Sequence, residues 1–233
     1  MAHSDNSFRL GVVPEATLTF GRGVAPGSGT YTDGNVGGNL PAAANARLLG
    51  VCERGSVLNG DLASLVVAGE CRVEVDGAYS AFDRINAADS TGKFKKALSS
   101  YTSNLTGATN NDFVLSAVDQ GRAGDEITFE MIDPGGTSAT LSVKVTARHI
   151  AVTLGRASSA INTTAHALRD LLAADPLASA LVTYADKTGN DGTGLVAALA
   201  PVRLSGGAHD VGYLLEATTT TGDQPRAILD RCN

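Results

Sequence analysis

Residues 55–96 read GSVLNGDLASLVVAGECRVEVDGAYSAFDRINAADSTGKFKK, and the parsing of this stretch decides the fold. Residues 64–68 are apolar and partly β-branched. Cys71, Val73 and Val75 then alternate with Arg72, Glu74 and Asp76, and a period of two predicts a strand with one buried and one wet face. Asp76-Gly77 is a dipeptide that tolerates positive φ, so a turn is expected there. Phe82 and Ile85 open a third predicted strand, which residues 89–92 turn towards Phe94. Three short strands separated by turns, with no catalytic constellation among them, predict a compact β scaffold whose product is a surface.

Two further strands, residues 211–217 and 226–229, lie far away in the sequence. Two strands cannot stand alone in water, so they are expected to pair with residues 16–96. From Arg122, ahead of these two strands, the pattern changes. Ile127, Phe129 and Met131 alternate with polar residues, and Asp133-Pro134-Gly135-Gly136 predicts a hairpin onto Leu141, Val143 and Val145. Residues 149–154 make a third strand. Ile161, Ala165, Leu168 and Leu172 share one helical face, with Ser158 or Ser159 as N-cap and Asp175-Pro176 as the stop. Residues 177–182 suggest a second short helix and residues 195–204 a last strand. The fold expected is mainly β: a β-sandwich or barrel-like domain formed by both ends of the chain, with an inserted small α+β domain. The boundaries are an N-terminal arm at 1–15, the β domain at 16–110 plus 207–233, and the insertion at 111–206.

Two stretches read as irregular. Residues 21–46, rich in Gly, Pro, Ser and Asn, predict a long loop of the kind that often forms a contact surface. Residues 97–121 are polar and read as a linker or domain junction. The 1–15 segment carries Phe8, Leu10, Val12 and Val13 and is read as either an edge strand or an arm that orders on a neighbour.

Composition excludes several functions. The net charge of −6 over 233 residues argues against sequence-independent nucleic-acid binding, which needs lysines and arginines to neutralise phosphates. MAHSDNSFRL lacks the basic and apolar regions of a secretory signal, and no apolar run approaches the ~20 residues of a membrane span. The chain is therefore expected to be soluble, with no membrane partner. Three cysteines, Cys52, Cys71 and Cys232, show no metal-ligand spacing. The four histidines, His3, His149, His166 and His209, are scattered, and no nucleophile or metalloprotease motif occurs. Gly21-x-Gly23 is followed by no Gly-Lys-Ser/Thr, so no nucleotide is expected there. Neither a cofactor nor an enzymatic activity is expected.

The ordered turn residues carry a resemblance. Gly60-Asp61, Asp89…Gly92-Lys93 and, much later, Gly212…Glu216-Ala217…Gly222-Asp223 follow the pattern of tailed-phage capsid cement (head decoration) proteins. Two positions depart from it. Ala81-Phe82-Asp83 stands where Gly-Asp would be usual, and the proline of Gln224-Pro225 shortens the closing strand or confines it to an edge. The inserted segment is similar to a module found in several phage virion proteins. The resemblance implies a structural virion protein on the outer surface of a phage capsid, made in the host bacterial cytoplasm. It would bridge subunits of the major capsid protein and form a homo-oligomer, a trimer in this family. The capsid-contact candidates are Phe8, Arg9, Leu10, Val12 and Val13. The alternatives are a phage tail-associated subunit and a host- or glycan-binding module. The absence of Trp disfavours the glycan reading, since sugar sites usually stack on aromatic faces.

Overall fold

The computed structural model describes residues 8–15, 17–30, 36–43, 47–53, 63–106, 108–207 and 210–230. The chain is mainly β, with eighteen strands and three helices among those residues. It divides into two compact units, Met1–Ala97 with His209–Asn233, and Leu98–Ala208. The first contains β1 (Phe8–Pro14), β2 (Gly23–Thr30), β3 (Val36–Asn39), β4 (Gly50–Cys52), β5 (Ala63–Arg72), β6 (Arg84–Ala87) and β7 (Phe94–Lys96). The second contains β8 (Leu98–Thr102), β9 (Phe113–Gln120), α1 (Arg122–Asp125), β10 (Thr128–Ile132), β11 (Ser142–Thr146) and β12 (His149–Thr153). It continues with β13 (Arg156–Ala157), β14 (Ala160–Ile161), α2 (Ala165–Ala174), α3 (Pro176–Leu181), β15 (Val182–Asp186) and β16 (Leu199–Arg203). The chain then returns to the first unit with β17 (Gly212–Leu214) and β18 (Arg226–Leu229).

The first unit is built around β5. Residues 63–72 form one strand, not the two expected, because Gly69 takes φ 103° and lets the strand change partners without ending. On its first half β5 pairs with β1 (Leu10 opposite Leu65) and with β4 (Val51 opposite Val66). On its second half it pairs with β18 (Ala227 opposite Cys71). The order β1-β3-β2-β4-β5 returns to β1, so five strands close a ring of consecutive pairings. Val12, Val24, Cys52, Ala63 and Leu65, drawn from four of those strands, fill one core with Leu18. The fifth, β3, presents Gly38, where a Cβ would meet Val12 and Val24 at 3.0 and 3.1 Å. Beyond β18 the sheet continues through β17 and β6 to β7. The Phe94 N–H donates to Glu74 O and the Asp76 N–H to Phe94 O, which occupies the outer edge of β7.

The stretch 21–46, expected as a loop, therefore supplies β2 and β3. Its glycines are where strands and side chains come close: a Cβ on Gly23 would lie 2.7 Å from Leu48. Such strands owe their existence to their neighbours and not to propensity. The segment 8–14 is likewise a ring strand and not a free arm, paired on both sides.

The stretch 97–121, expected as a linker or domain junction, has the boundary between the units at its start and then forms β8 and β9, with Tyr101 opposite Leu115, so the second unit begins at Leu98 instead of residue 111. The hairpin expected between β10 and β11 is absent. Nine residues separate those strands, and β12 lies between them, parallel to β10 and antiparallel to β11. The tight turn is Ala147-Arg148, where Ala147 takes φ 54° and joins β11 to β12. The N-cap of α2 is Thr164, whose hydroxyl accepts from the Ala167 N–H, whereas Ser158 and Ser159 form the turn between β13 and β14. Asp175 ends α2 and caps α3, which opens on Pro176. Phe113, Leu115, Phe129, Met131, Ile150, Val152, Leu168 and Leu172 share a single core.

Asp112 ties this unit together at the end of the β8–β9 connection. Its carboxylate accepts from the Leu105 N–H (2.7 Å), the Ser103 hydroxyl (3.1 Å) and Lys187 Nζ (3.0 Å). Burial pushes its pKa up, but these donors outweigh burial and hold it below the usual carboxylate range. A depressed folded-state pKa adds stability above the unfolded value and loses it as pH falls through the folded value. Asp112→Asn is thus expected to lower the thermal midpoint most at neutral pH. The gap from the wild type should close below about pH 4. A gap independent of pH would assign Asp112 a purely steric role.

Candidate interaction surface

Turn chemistry places the most exposed large apolar side chain of the described residues. In Tyr79-Ser80-Ala81-Phe82-Asp83, the Asp83 carboxylate accepts from the Ser80 N–H (3.0 Å), and the Asp83 N–H returns to Ser80 O (3.2 Å). Lys96 Nζ pairs with the other carboxylate oxygen at 2.9 Å. The turn is also clamped to β17, since the Phe82 N–H donates to Leu214 O (2.8 Å) and the Leu214 N–H to Asp83 O (3.0 Å). Inside this clamp Phe82 takes φ 67° with its side chain 72% exposed. A left-handed residue with a Cβ costs about 1–2 kcal/mol, and a bulky one is a genuine outlier. Phe82 therefore does not start a strand; β6 begins at Arg84, beyond the turn. Within Ala81-Phe82-Asp83, Phe82 thus holds a backbone conformation that favours glycine.

Tyr213 lies beside it, the two ring centroids 6.4 Å apart and tilted by 36°. Tyr213 is also the cross-strand neighbour of Arg84, whose guanidinium joins Asp210 and, at 3.0 Å, Asp230. The result is an aromatic pair beside a cation shared by two carboxylates. An aromatic centre with a polar rim is the anatomy of a protein–protein contact.

The contact residues expected from the sequence lie in β1. Val12 is fully buried in the ring core, and Leu10 packs against that core, so their apolar surface is spent on folding. Arg9 is exposed and forms a bidentate pair with Glu53 at 2.7 Å. Gly11 is exposed beside them and Val13 is half-buried. The side chain of Phe8 falls outside the described residues, as do Gly60-Asp61, His3, His209 and Cys232.

The remaining motif residues act as joints of the first unit. Asp89 accepts from the Thr91 N–H (2.7 Å), and Gly92, at φ 78°, receives the Gly23 N–H on its carbonyl (2.7 Å). Asp223 accepts from the Thr219 and Thr220 N–H groups, and the Gly222 N–H donates to Val75 O. Glu216 pairs with Arg226 at 2.7 Å. These residues hold both ends of the chain in one sheet across 111 intervening residues, Leu98–Ala208.

One polar relay was not legible in the sequence. His149 bridges Thr128 Oγ1 (2.8 Å) and Glu130 Oε1 (3.0 Å) on the outward face of β10 and β12. Hydroxyl, imidazole and carboxylate in line are the parts of a nucleophile relay. Acyl transfer also needs N–H donors aimed at a developing oxyanion. The Thr128 N–H is already committed to Arg148 O at 2.9 Å, so the arrangement reads as a cross-strand ladder. Period-two alternation puts Thr128 and Glu130 on one face, but only the parallel register brings His149 to them. Among the described residues no group of three or more His, Cys, Asp or Glu is placed to hold a metal ion. No protein-family model matches the chain, and no curated protein matches it.

Proposed function

We propose that this chain is a structural virion protein that binds the outer surface of a phage capsid and bridges neighbouring major capsid protein subunits. The reading rests on the cement-protein resemblance. The observation that carries the binding role is Phe82, an aromatic side chain displayed on a turn whose backbone would be cheaper with glycine. The surface binds and performs no chemistry. Binding the assembled shell in preference to free subunits stabilises the shell by mass action, and many symmetry-related copies multiply a modest affinity. A homotrimeric decoration unit on the capsid exterior, assembled after synthesis in the bacterial cytoplasm, is the form this role takes.

The test is addition of purified chain to shells assembled without it. Saturation at a fixed number of copies per shell, with a rise in the temperature of shell disassembly, is expected. Shells that neither take up the chain nor gain stability would rule the role out and direct attention to the tail.

A further inference from the structure

Building on the shell-binding reading, we infer that Phe82 is the anchor of the contact and that its receptor is an apolar pocket with a basic rim on the partner protein. Three observations converge on this. Phe82 is 72% exposed, so its ring contributes little to the fold. Its φ of 67° is enforced by hydrogen bonds on both sides of the turn, so the backbone that carries the ring is set before any partner arrives. Pre-organisation of this kind removes an ordering cost from binding. Strain held at an exposed aromatic position is a stability sacrifice, and such outliers gather at functional sites.

The neighbouring charges define the partner. Among the described residues, Arg84 pairs with both Asp210 and Asp230, two carboxylates to one cation beside the Phe82–Tyr213 pair. Asp83 is neutralised by Lys96 on the other side of the turn. A cation at the rim of the receiving pocket matches those two carboxylates, and rim charges of this type act mainly on association rate and its salt dependence.

The test uses the full chain and shells assembled without it. Phe82→Ala should weaken shell binding by about 10–100-fold, the loss expected for a fully buried aromatic side chain. Phe82→Gly should weaken it equally while leaving the thermal midpoint of the free chain unchanged or raised. Asp210→Asn and Asp230→Asn should slow association at low ionic strength, an effect that disappears at high salt. Leu177→Ala removes an equally conspicuous apolar side chain, 61% exposed on α3, and should change nothing. Wild-type binding with no loss in Phe82→Ala overturns the anchor and leaves the shell-binding role standing. A midpoint that falls in Phe82→Gly along with the affinity makes Phe82 structural and also overturns it. Failure of the wild type itself to bind removes both.

Discussion

Gly212→Ala is expected to be among the most damaging single substitutions in the first unit. At an ordinary strand position, exchanging Gly for Ala stabilises by about 0.4–1 kcal/mol through the unfolded chain. Gly212 reverses that sign because its Cβ would lie 2.0 Å from the Ile228 carbonyl oxygen and 2.8 Å from the Leu229 Cα. Both obstacles are backbone, so no side-chain rotation relieves the clash. Gly212 is paired with Leu229 on one side and Ile85 on the other, which places the substitution inside the joint that brings β17 and β18 into the sheet. Leu214, Ala227 and Leu229 are buried through those pairings. Displacing β17 should cost more than ordinary overpacking, about 3 kcal/mol or above. Denaturant unfolding of the full chain measures it. A change below about 1 kcal/mol would mean the strand can slide aside without losing its pairs.

Phe129→Ala should have a comparable effect in the second unit. Phe129 is fully buried on β10 and meets Phe113 edge-on, with ring centroids 5.9 Å apart at 78°. Phe113 in turn stacks on Tyr184 at 5.1 Å, so the three rings form the centre of the core. Truncating a buried Phe to Ala typically costs about 3–5 kcal/mol, the sum of lost transfer energy and an unfilled cavity. That is a large fraction of the roughly 5–15 kcal/mol by which a domain is stable. Calorimetry should show the transition of this unit moved to lower temperature. An unmoved transition would contradict the assignment of this cluster as the core.

These two positions show what was legible in the sequence. Ile127, Phe129 and Met131 alternate with polar residues, and all three are buried to within 1% exposure. Ala165, Leu168 and Leu172 mark the buried face of α2, and Asp175-Pro176 marks its end. In each case a single local period reports burial. Register and partner choice are set by the whole fold, and there the sequence reading failed. The β10–β11 hairpin was expected because Asp133-Pro134-Gly135-Gly136 is a strong turn signal. The turn exists, but β12 takes the place beside β10. Residues 23–30 and 36–39 contain so many glycines that no propensity favours a strand, yet closure of the ring makes strands of both. Val12 looked like an exposed anchor because alternation cannot tell a strand that covers a core from an arm that reaches outwards.

The candidate surface was hidden for a related reason. Phe82 reads as the start of a strand when apolar residues are counted, since nothing local shows that its φ is positive. The Ser80–Asp83 hydrogen bonds and the clamp from Leu214 impose that conformation, and the clamp spans more than 130 residues of chain. The one sequence signal was a departure, Ala81-Phe82-Asp83 where Gly-Asp would be usual, and it did not single out Phe82.

The most direct test of the shell-binding role is the number of chain copies bound per shell when purified protein is titrated onto expanded capsids assembled without it and sedimented. A plateau at a fixed ratio to the major capsid protein, reached by the wild type and shifted to higher concentration by Phe82→Ala, is the predicted result. Linear uptake with no plateau, or chain that stays in the supernatant at every concentration, would contradict it.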